Sequence, residues 1–116
     1  MFRGEIRLVD FDPARGSEPN KVRPAIIVSD DAMNTTAAML GAGTVIVVPL
    51  TSSVERIFDF HTFLPAEDTG LPLDSKAQPE LVRAVSIERL GKSMGRVPAD
   101  AMQQVDNTLR FILGMA

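Results

Sequence analysis

An arginine stands directly before a proline and an apolar stretch in the sequence RPAIIVS, residues 23–29. Pro24 restricts the backbone of Arg23 to extended geometry, and the β-branched residues that follow predict a strand buried on both sides. A guanidinium held in this way can bind two phosphate oxygens at once, and it keeps its charge in any surroundings. The sequence therefore predicts either a phosphate site at Arg23 or an ion pair that closes the end of the fold.

Three consecutive hydroxyl residues, Thr51, Ser52 and Ser53, follow the most β-branched stretch of the chain, residues 44–50. Such hydroxyls can donate hydrogen bonds to phosphate oxygens, although the same residues are also typical of a plain turn. If the strand after Arg23 pairs antiparallel with residues 44–50, the start of one strand and the end of the other share an edge of the sheet. We therefore expect Arg23 and Thr51 to face one groove.

The side chains that most enzymes use for metal or covalent chemistry are scarce. The chain has no cysteine, which excludes disulfides, thiolate metal sites and cysteine nucleophiles. Its single histidine, His61, excludes a ribonuclease mechanism that needs two histidines from one chain. There is no glycine-rich phosphate loop and no paired spacing of metal ligands, so we expect neither a metal nor a cofactor. The lack of cysteine and of any apolar stretch long enough to span a membrane predicts a cytoplasmic protein.

Short strands and one C-terminal helix make up the predicted fold. Six stretches have the alternating or β-branched pattern of strands: 5–11, 24–29, 44–50, 58–64, 81–87 and 92–97. Apolar residues recur at steps of three and four from Met102 to Ile112, which predicts an amphipathic helix, and one or two helical turns are expected over 30–39. We expect a turn over 65–74. The predicted fold is mainly β and of the α+β class, a small SH3-like barrel closed by the C-terminal helix, in one domain of residues 1–116.

The charge of the chain is unevenly distributed. The net charge is −3, but residues 76–96 hold five basic residues and only two acidic ones. A local basic patch on an acidic protein suits a small anionic ligand better than a long nucleic-acid duplex, although a mixed surface charge would look the same in composition.

The ordered set of motifs resembles the MazF/PemK family of toxin endoribonucleases over essentially the whole chain. The motifs are Gly4-Glu5 before a strand, Asp12-Pro13, Gly16-Ser17-Glu18, Arg23-Pro24, Val48-Pro49-Leu50-Thr51-Ser52, the stretch Gln78–Arg83 and the closing helix. The resemblance implies a dimeric SH3-like barrel that cuts single-stranded RNA at short sequences without a metal. It also implies a cognate MazE-like antitoxin whose C-terminal tail covers the RNA groove.

Carried over by this resemblance, Arg23 is the catalytic arginine, Thr51 is its phosphate-binding partner, and Glu18 matches a position important for activity. The implied reaction is attack of a ribose 2′-hydroxyl on the adjacent phosphorus, which leaves a cyclic phosphate and a 5′-hydroxyl. The general base is left open, because threonine is too weak a base and arginine stays protonated. Some relatives place an Arg-x-Asp pair where this chain has Gln78-Pro79-Glu80, so Glu80 and Glu18 are both candidates.

Further polar residues are candidates for contacts to RNA phosphates or base edges: Asn20, Lys21, Ser52, Ser53, Lys76 and Gln78. Phe58 or Phe60 could stack on bases, but we expect both to be packed in the core. Histidine is a common acid–base side chain at neutral pH, yet the position of His61 favours a role in the wall of the groove, in stacking or at the surface.

Two other functions fit the predicted architecture. A CcdB-like toxin of the same fold would act by binding DNA gyrase, without nuclease activity. An inert SH3-like interaction module is the third possibility. Neither needs Arg23 or Thr51.

Overall fold

Seven antiparallel strands form one curled sheet, a half-barrel, in the part of the chain that the computed structural model describes, residues 1–13, 15–18 and 21–115. The strands are β1 (Glu5–Asp10), β2 (Val22–Ile27), β3 (Thr44–Thr51), β4 (Thr62–Leu64), β5 (Ser75–Ala77), β6 (Arg83–Ser86) and β7 (Leu90–Arg96). Their order in the sheet is β4-β5-β3-β2-β1-β7, and β6 also pairs with β3. Together with a C-terminal helix, α3 (Ala99–Ile112), this sheet confirms the predicted mainly β fold class.

The pairing of β2 with β3 brings the start of one strand to the end of the other. Ala25 pairs with Pro49 and Ile27 with Val47 in an antiparallel register. Continued by two residues, this register sets Arg23 opposite Thr51. Residues that oppose each other in a sheet project from the same face, so both side chains leave the sheet on one side and at one end.

The other edge of β3 changes partner along the strand. Residues 44–47 pair with β6, whereas Leu50 and Thr51 pair with β5. Pro49, which has no N–H to donate, lies at this change, and its carbonyl accepts the Gln78 N–H at 2.9 Å. Strand β3 therefore pairs with β6 along its first half and with β5 at the end that carries Thr51.

Apolar side chains cover both faces of the sheet. On one face, α3 buries Met102, Val105 and Leu109, the periodic residues from which the helix was predicted. On the other face, helix α1 (Asp31–Leu40) contributes Ala37 to a second core. The buried members of this second core are Val9, Phe11, Ala25, Ile27, Ala37, Val45, Val47 and Val85. Arg23 and Thr51 belong to the second face, because they alternate in step with Ala25 and Val47.

Helix α1 is longer than the one or two turns that the sequence predicts. The Asp30 carboxylate caps it by accepting the Ala32 N–H at 2.9 Å, and Gly41 ends it with a φ of 62°. Asn34, an apparent weak point, is fully buried and donates to the Ser29 carbonyl at 3.0 Å. This tertiary contact outweighs its low helix propensity. No helix among the described residues is long and apolar enough to cross a membrane.

Three local predictions are wrong in part. The strand predicted over 58–64 exists only as β4, because a turn closed by the bond from the His61 N–H to the Phe58 carbonyl (2.9 Å) precedes it. The strand predicted over 81–87 is shortened to β6 by 3-10 turns at Pro79–Leu81 and Ile87–Arg89. The turn predicted over 65–74 contains the short helix α2 (Ala66–Thr69). The strand that follows α2, β5, has no pattern long enough to be predicted.

β7 and α2 approach each other closely at Gly95. The φ of Gly95 is 145°, and a Cβ placed there would lie 1.9 Å from the Thr69 carbonyl oxygen at the end of α2. Only glycine allows this approach. Residues 71–75, which follow α2 directly, are therefore positioned by a contact that tolerates no side chain.

We expect Gly95→Ala to lower the free energy of unfolding by about 3 kcal/mol, because the methyl group must displace the Thr69 carbonyl and the backbone angle disfavours alanine. Urea denaturation of the two proteins measures the difference. Gly114→Ala is the matched control: Gly114 also has a positive φ, 71°, but a Cβ there meets nothing within 4 Å. Equal stability losses in the two variants would show that the contact with α2 contributes nothing.

Candidate functional site

A cavity of about 400 Å³ opens at the end of the sheet where β2 begins and β3 ends. Arg23 and Thr51 both line it, which confirms the prediction that these residues face a shared groove. The other lining residues are Pro24, Leu50, Ser52, Ser53, Leu71, Pro72, Leu73 and Ser75. Pockets that bind small molecules typically measure roughly 300–1,000 Å³, so this cavity can hold a nucleotide-sized group.

Thr51 has its hydroxyl oriented by the loop that follows β3. Its Oγ1 accepts a hydrogen bond from the Ser53 N–H at 3.2 Å. Because this bond uses a lone pair of the oxygen, the hydroxyl proton is still available to a ligand. Arg23 is half-buried and supplies the positive charge of the cavity lining. A guanidinium and a hydroxyl donor on one wall form a binding site for an anion with several oxygens.

The opposite wall of the cavity is apolar and was missed by sequence reasoning. Leu71, Pro72 and Leu73 come from the segment between α2 and β5, of which the sequence predicts only that it is a turn. The pairing of Thr51 with Lys76 brings this segment to the end of β3. The only sequence signal is the mixture of leucine and proline in an otherwise polar turn. A wall of this kind suits the apolar face of a base or ribose.

Neither of the two candidate bases is among the described residues that line the cavity. Glu18 is exposed in the loop between β1 and β2, and its Oε1 accepts the Arg15 N–H at 2.6 Å. Glu80 lies in the 3-10 turn after β5 and binds His61, with 3.1 Å between Glu80 Oε2 and His61 Nε2. The chain position of Glu18, four residues before β2, keeps it near the cavity end of the sheet.

His61 is buried, so the expected surface role is wrong. Its side chain is 3% exposed, and its Nδ1 accepts the Phe58 N–H at 3.1 Å. A nitrogen that accepts this bond carries no proton, so the ring proton lies on Nε2 and is donated to Glu80. His61 therefore joins the β3–β4 loop to the turn that carries Glu80, and it holds no position from which it could reach a ligand in the cavity.

The residues predicted to contact RNA lie in different places relative to the cavity. Ser52 and Ser53 are exposed and line the cavity. Lys21 is exposed directly before β2 and has a φ of 63°, a left-handed backbone stabilised by the bond from its N–H to Asp12 Oδ1 at 2.7 Å. Asn20 lies outside the described residues.

Lys76 and Gln78 do not line the cavity. Lys76 is 8% exposed, and in this structure its ammonium donates to the Arg56 carbonyl, so its phosphate contact stays a prediction. The bond fixes the loop that begins with Ser52 and Ser53. Gln78 is half-buried and uses its N–H in the bond to Pro49 described above.

The expectation that Phe58 and Phe60 pack in the core is also wrong. Phe58 is 50% exposed and stacks on Phe60, with 5.6 Å between ring centroids. Together with Ile57 and Phe111 of α3, the two rings line a second cavity of about 690 Å³. This cavity opens where the β3–β4 loop meets α3, whereas Arg23 and Thr51 line the first one.

We expect His61→Asn and His61→Gln to separate the two bonds of the imidazole. The amide oxygen of asparagine can take the place of Nδ1, so the Phe58 N–H should keep its protection against hydrogen exchange, while the bond to Glu80 is lost. Glutamine reaches the Nε2 position instead and should leave Phe58 unprotected. Each lost bond should lower the free energy of unfolding by about 1 kcal/mol. Hydrogen exchange of the Phe58 N–H is measured by NMR. Equal protection in both variants would contradict the bond from this N–H to His61 Nδ1, and with it the assigned tautomer.

Comparison with known proteins identifies the family of this chain. Residues 2–113 match the model of a protein family described as PemK-like, MazF-like toxin of type II toxin–antitoxin system. Over 115 residues the chain is 48% identical to endoribonuclease MazF9 of Mycobacterium tuberculosis, covering 99% of this chain and 98% of that protein.

Solved structures have the same fold. The crystal structure of MazF from Deinococcus radiodurans superposes with a TM-score of 0.83 and 26% identity, covering 99% of this chain and 97% of that one. An endoribonuclease in complex with its cognate antitoxin, from a mycobacterial species, superposes with a TM-score of 0.77 and 22% identity, covering 100% and 97%. The match to the family and the relative at 48% identity show that this chain belongs to the PemK-like, MazF-like toxins of type II toxin–antitoxin systems.

Proposed function

We propose that this protein is the toxin of a type II toxin–antitoxin system and cleaves single-stranded RNA at short sequences. The observation that carries the proposal is the position of Arg23 opposite Thr51, on one wall of a nucleotide-sized cavity. The relative that is 48% identical over nearly the whole chain is named an endoribonuclease, which supports RNA as the substrate.

The proposed reaction is an internal transfer at one phosphate. The ribose 2′-oxygen forms a bond to phosphorus, and the bond from phosphorus to the 5′-oxygen of the next nucleotide breaks. The 2′-hydroxyl gives its proton to a base, and the leaving 5′-oxygen takes up one proton, from that base or from water. The products are a 2′,3′-cyclic phosphate and a 5′-hydroxyl. DNA lacks the 2′-hydroxyl and is therefore not a substrate.

Arg23 and Thr51 act on the charge that builds up on the five-coordinate phosphorus. The bidentate guanidinium binds two of the phosphorane oxygens, and the Thr51 hydroxyl donates to one of them. Because the sheet holds both donors in place before the substrate binds, their bonds strengthen as negative charge develops, which lowers the barrier. The positive charge in this scheme comes from Arg23, so the proposal contains no metal and no cofactor.

Glu18 is the better of the two candidates for the general base. The Oε2 of Glu80 is hydrogen-bonded to the buried His61, which holds this carboxylate in the 3-10 turn and outside the cavity lining. Glu18 is exposed and lies just before the strand that carries Arg23, and among the described residues its carboxylate is bonded only to a backbone N–H of its own loop.

The partners follow from the same site. A cognate antitoxin of the MazE type would place its C-terminal tail along the cavity and compete with RNA; a solved neighbour is an endoribonuclease bound to its cognate antitoxin. We include a homodimer and a cytoplasmic location, where single-stranded RNA and antitoxin are both available. The alternative of a CcdB-like gyrase inhibitor is not favoured, because the relatives are named as endoribonucleases and the solved neighbours as MazF.

We expect Arg23→Ala to reduce the rate of RNA cleavage by about 10³-fold and Thr51→Ala by about 10²-fold, since each removes a donor to the transition state. Thr51→Ser keeps the hydroxyl and is the matched control, with cleavage close to that of the unmodified protein. The assay uses single-stranded RNA in EDTA, and the ends are mapped for cyclic phosphate and 5′-hydroxyl. Undiminished cleavage by a folded Arg23→Ala variant would refute the proposed chemistry.

The pair Glu18→Gln and Glu80→Gln tests the choice of base. Removing the base should reduce kcat by about 10²-fold or more, so Glu18→Gln should be strongly impaired. Glu80→Gln retains an oxygen that can accept the His61 proton, so its cleavage rate should stay close to that of the unmodified protein. The reverse result would make Glu80 the base.

A further inference from the structure

We infer that Arg83 binds a second phosphate of the RNA strand whose scissile phosphate lies at Arg23 and Thr51. The inference rests on the proposed function. It assigns a substrate-positioning contact to a side chain on β6, away from the residues that line the catalytic cavity.

The surroundings of Arg83 are unusual for an arginine. Its side chain is half-buried, and its Cζ lies 5.7 Å from the centroid of the Phe11 ring. Among the residues that the structure describes, neither a carboxylate nor a hydrogen-bond acceptor contacts its guanidinium. A guanidinium has five N–H donors, so a phosphate can bind here without displacing an acceptor from the described part of the protein.

Arg83 lies on the same face of the sheet as the catalytic pair. It pairs with Val47, which is four residues before Thr51 on β3 and so shares its face. Phe11 follows Val9 by two residues, and Val9 pairs with Arg23. Phe11 is therefore the diagonal cross-strand neighbour of Arg23, so the ring that Arg83 contacts lies on the same face as the catalytic pair.

The ring on which Arg83 rests is held firmly. Phe11 is fully buried, and its N–H donates to the Lys21 carbonyl at 2.9 Å. The residues before and after Phe11 in the chain are also held: Arg89 Nη1 donates to the Asp10 carbonyl at 2.9 Å and to the Asp12 carbonyl. Because the ring cannot shift, the cation–π contact fixes the plane of the Arg83 guanidinium before a ligand arrives.

The two acids that flank Phe11 in the sequence bond to backbone groups of the β1–β2 loop. The Oδ1 of Asp10 accepts the Asp12 N–H at 3.0 Å, and the Oδ1 of Asp12 accepts the Lys21 N–H at 2.7 Å. Both carboxylates therefore stabilise the start of the β1–β2 loop. Arg83 is half-buried, and an RNA strand that left the cavity past Arg23 and followed this face would bring its next phosphates toward it.

A purely structural role is the competing explanation, in which Arg83 only covers Phe11. The variant Arg83→Met distinguishes the two. Methionine is long enough to cover the ring and contacts aromatic rings favourably, so the fold should be retained, but it cannot bind a phosphate. Arg110→Met on α3 is the matched control, because Arg110 is exposed, loses the same charge and belongs to the helix on the opposite face.

The experiment first maps the site at which the unmodified protein cleaves a single-stranded RNA. A short RNA around that site, with a 2′-deoxyribose at the cleaved position, then serves as an uncleavable probe. Its dissociation constant is measured over a range of KCl concentrations. We expect Arg83→Met to bind about tenfold more weakly and to reduce the slope of log K against log salt by about 0.7, the value for one lost phosphate contact to a single strand. In cleavage assays, KM should rise while kcat is retained.

Arg83→Lys should retain the salt slope, because it keeps the charge, while losing part of the affinity. An unchanged slope and affinity in Arg83→Met would overturn the inference and leave Arg83 as the cover of Phe11. So would an equal loss in Arg110→Met, since the effect would then be one of net charge. If the unmodified protein cleaves no RNA, the proposed function itself fails, an outcome seen before any variant is made.

Discussion

The antiparallel pairing of β2 with β3 is the constraint on which the site depends. It places the first residues of one strand beside the last residues of the other, and so sets a guanidinium opposite a hydroxyl. A slip of one residue would move every side chain of one strand to the opposite face of the sheet, so Arg23 would no longer lie opposite Thr51 and both cores would have to repack. The positions of Arg23 and Thr51 are thus as rigid as the core itself.

The rest of the cavity is assembled along the edge of β3 that does not pair with β2. There β5 replaces β6 as partner beyond Pro49, and this brings the apolar wall of residues 71–75 to the end of the sheet. The close approach of Gly95 to the Thr69 carbonyl at the end of α2 positions this wall. On the other side, Lys76 and His61 fix the loop that begins with Ser52. The polar wall therefore comes from the long strands β2 and β3, and the apolar wall comes from the segment between α2 and β5. The pairing of β2 with β3 positions the first wall, and the contact between Gly95 and α2 positions the second.

The sequence predicts the polar wall and not the apolar one, and the reason is physical. β-Branched stretches such as residues 44–50 specify a strand locally, and a neighbouring pair of strands then specifies which ends meet. Lys76 and His61 show the limit. Their side-chain types are typical of ligand contacts, but here they satisfy backbone groups of a loop, an arrangement that depends on tertiary contacts between residues up to 20 positions apart. The exposure of Phe58 was missed for the same reason, since no local pattern tells an aromatic surface from a core.

The arginines differ in whether the fold itself binds their guanidinium groups, and this difference explains how a chain with a net charge of −3 can bind RNA. Arg3 binds Asp106 through two hydrogen bonds, the shorter at 2.6 Å, and Arg7 donates to the Gly91 carbonyl. Both of these arginines are therefore bonded to other parts of the protein. Arg83, in contrast, has only an aromatic ring against it among the described residues. Binding then depends on a few charges fixed on one face and not on the sum over the surface. Few fixed contacts give a short footprint, so recognition of a short single-stranded sequence is the mode of binding that this distribution favours.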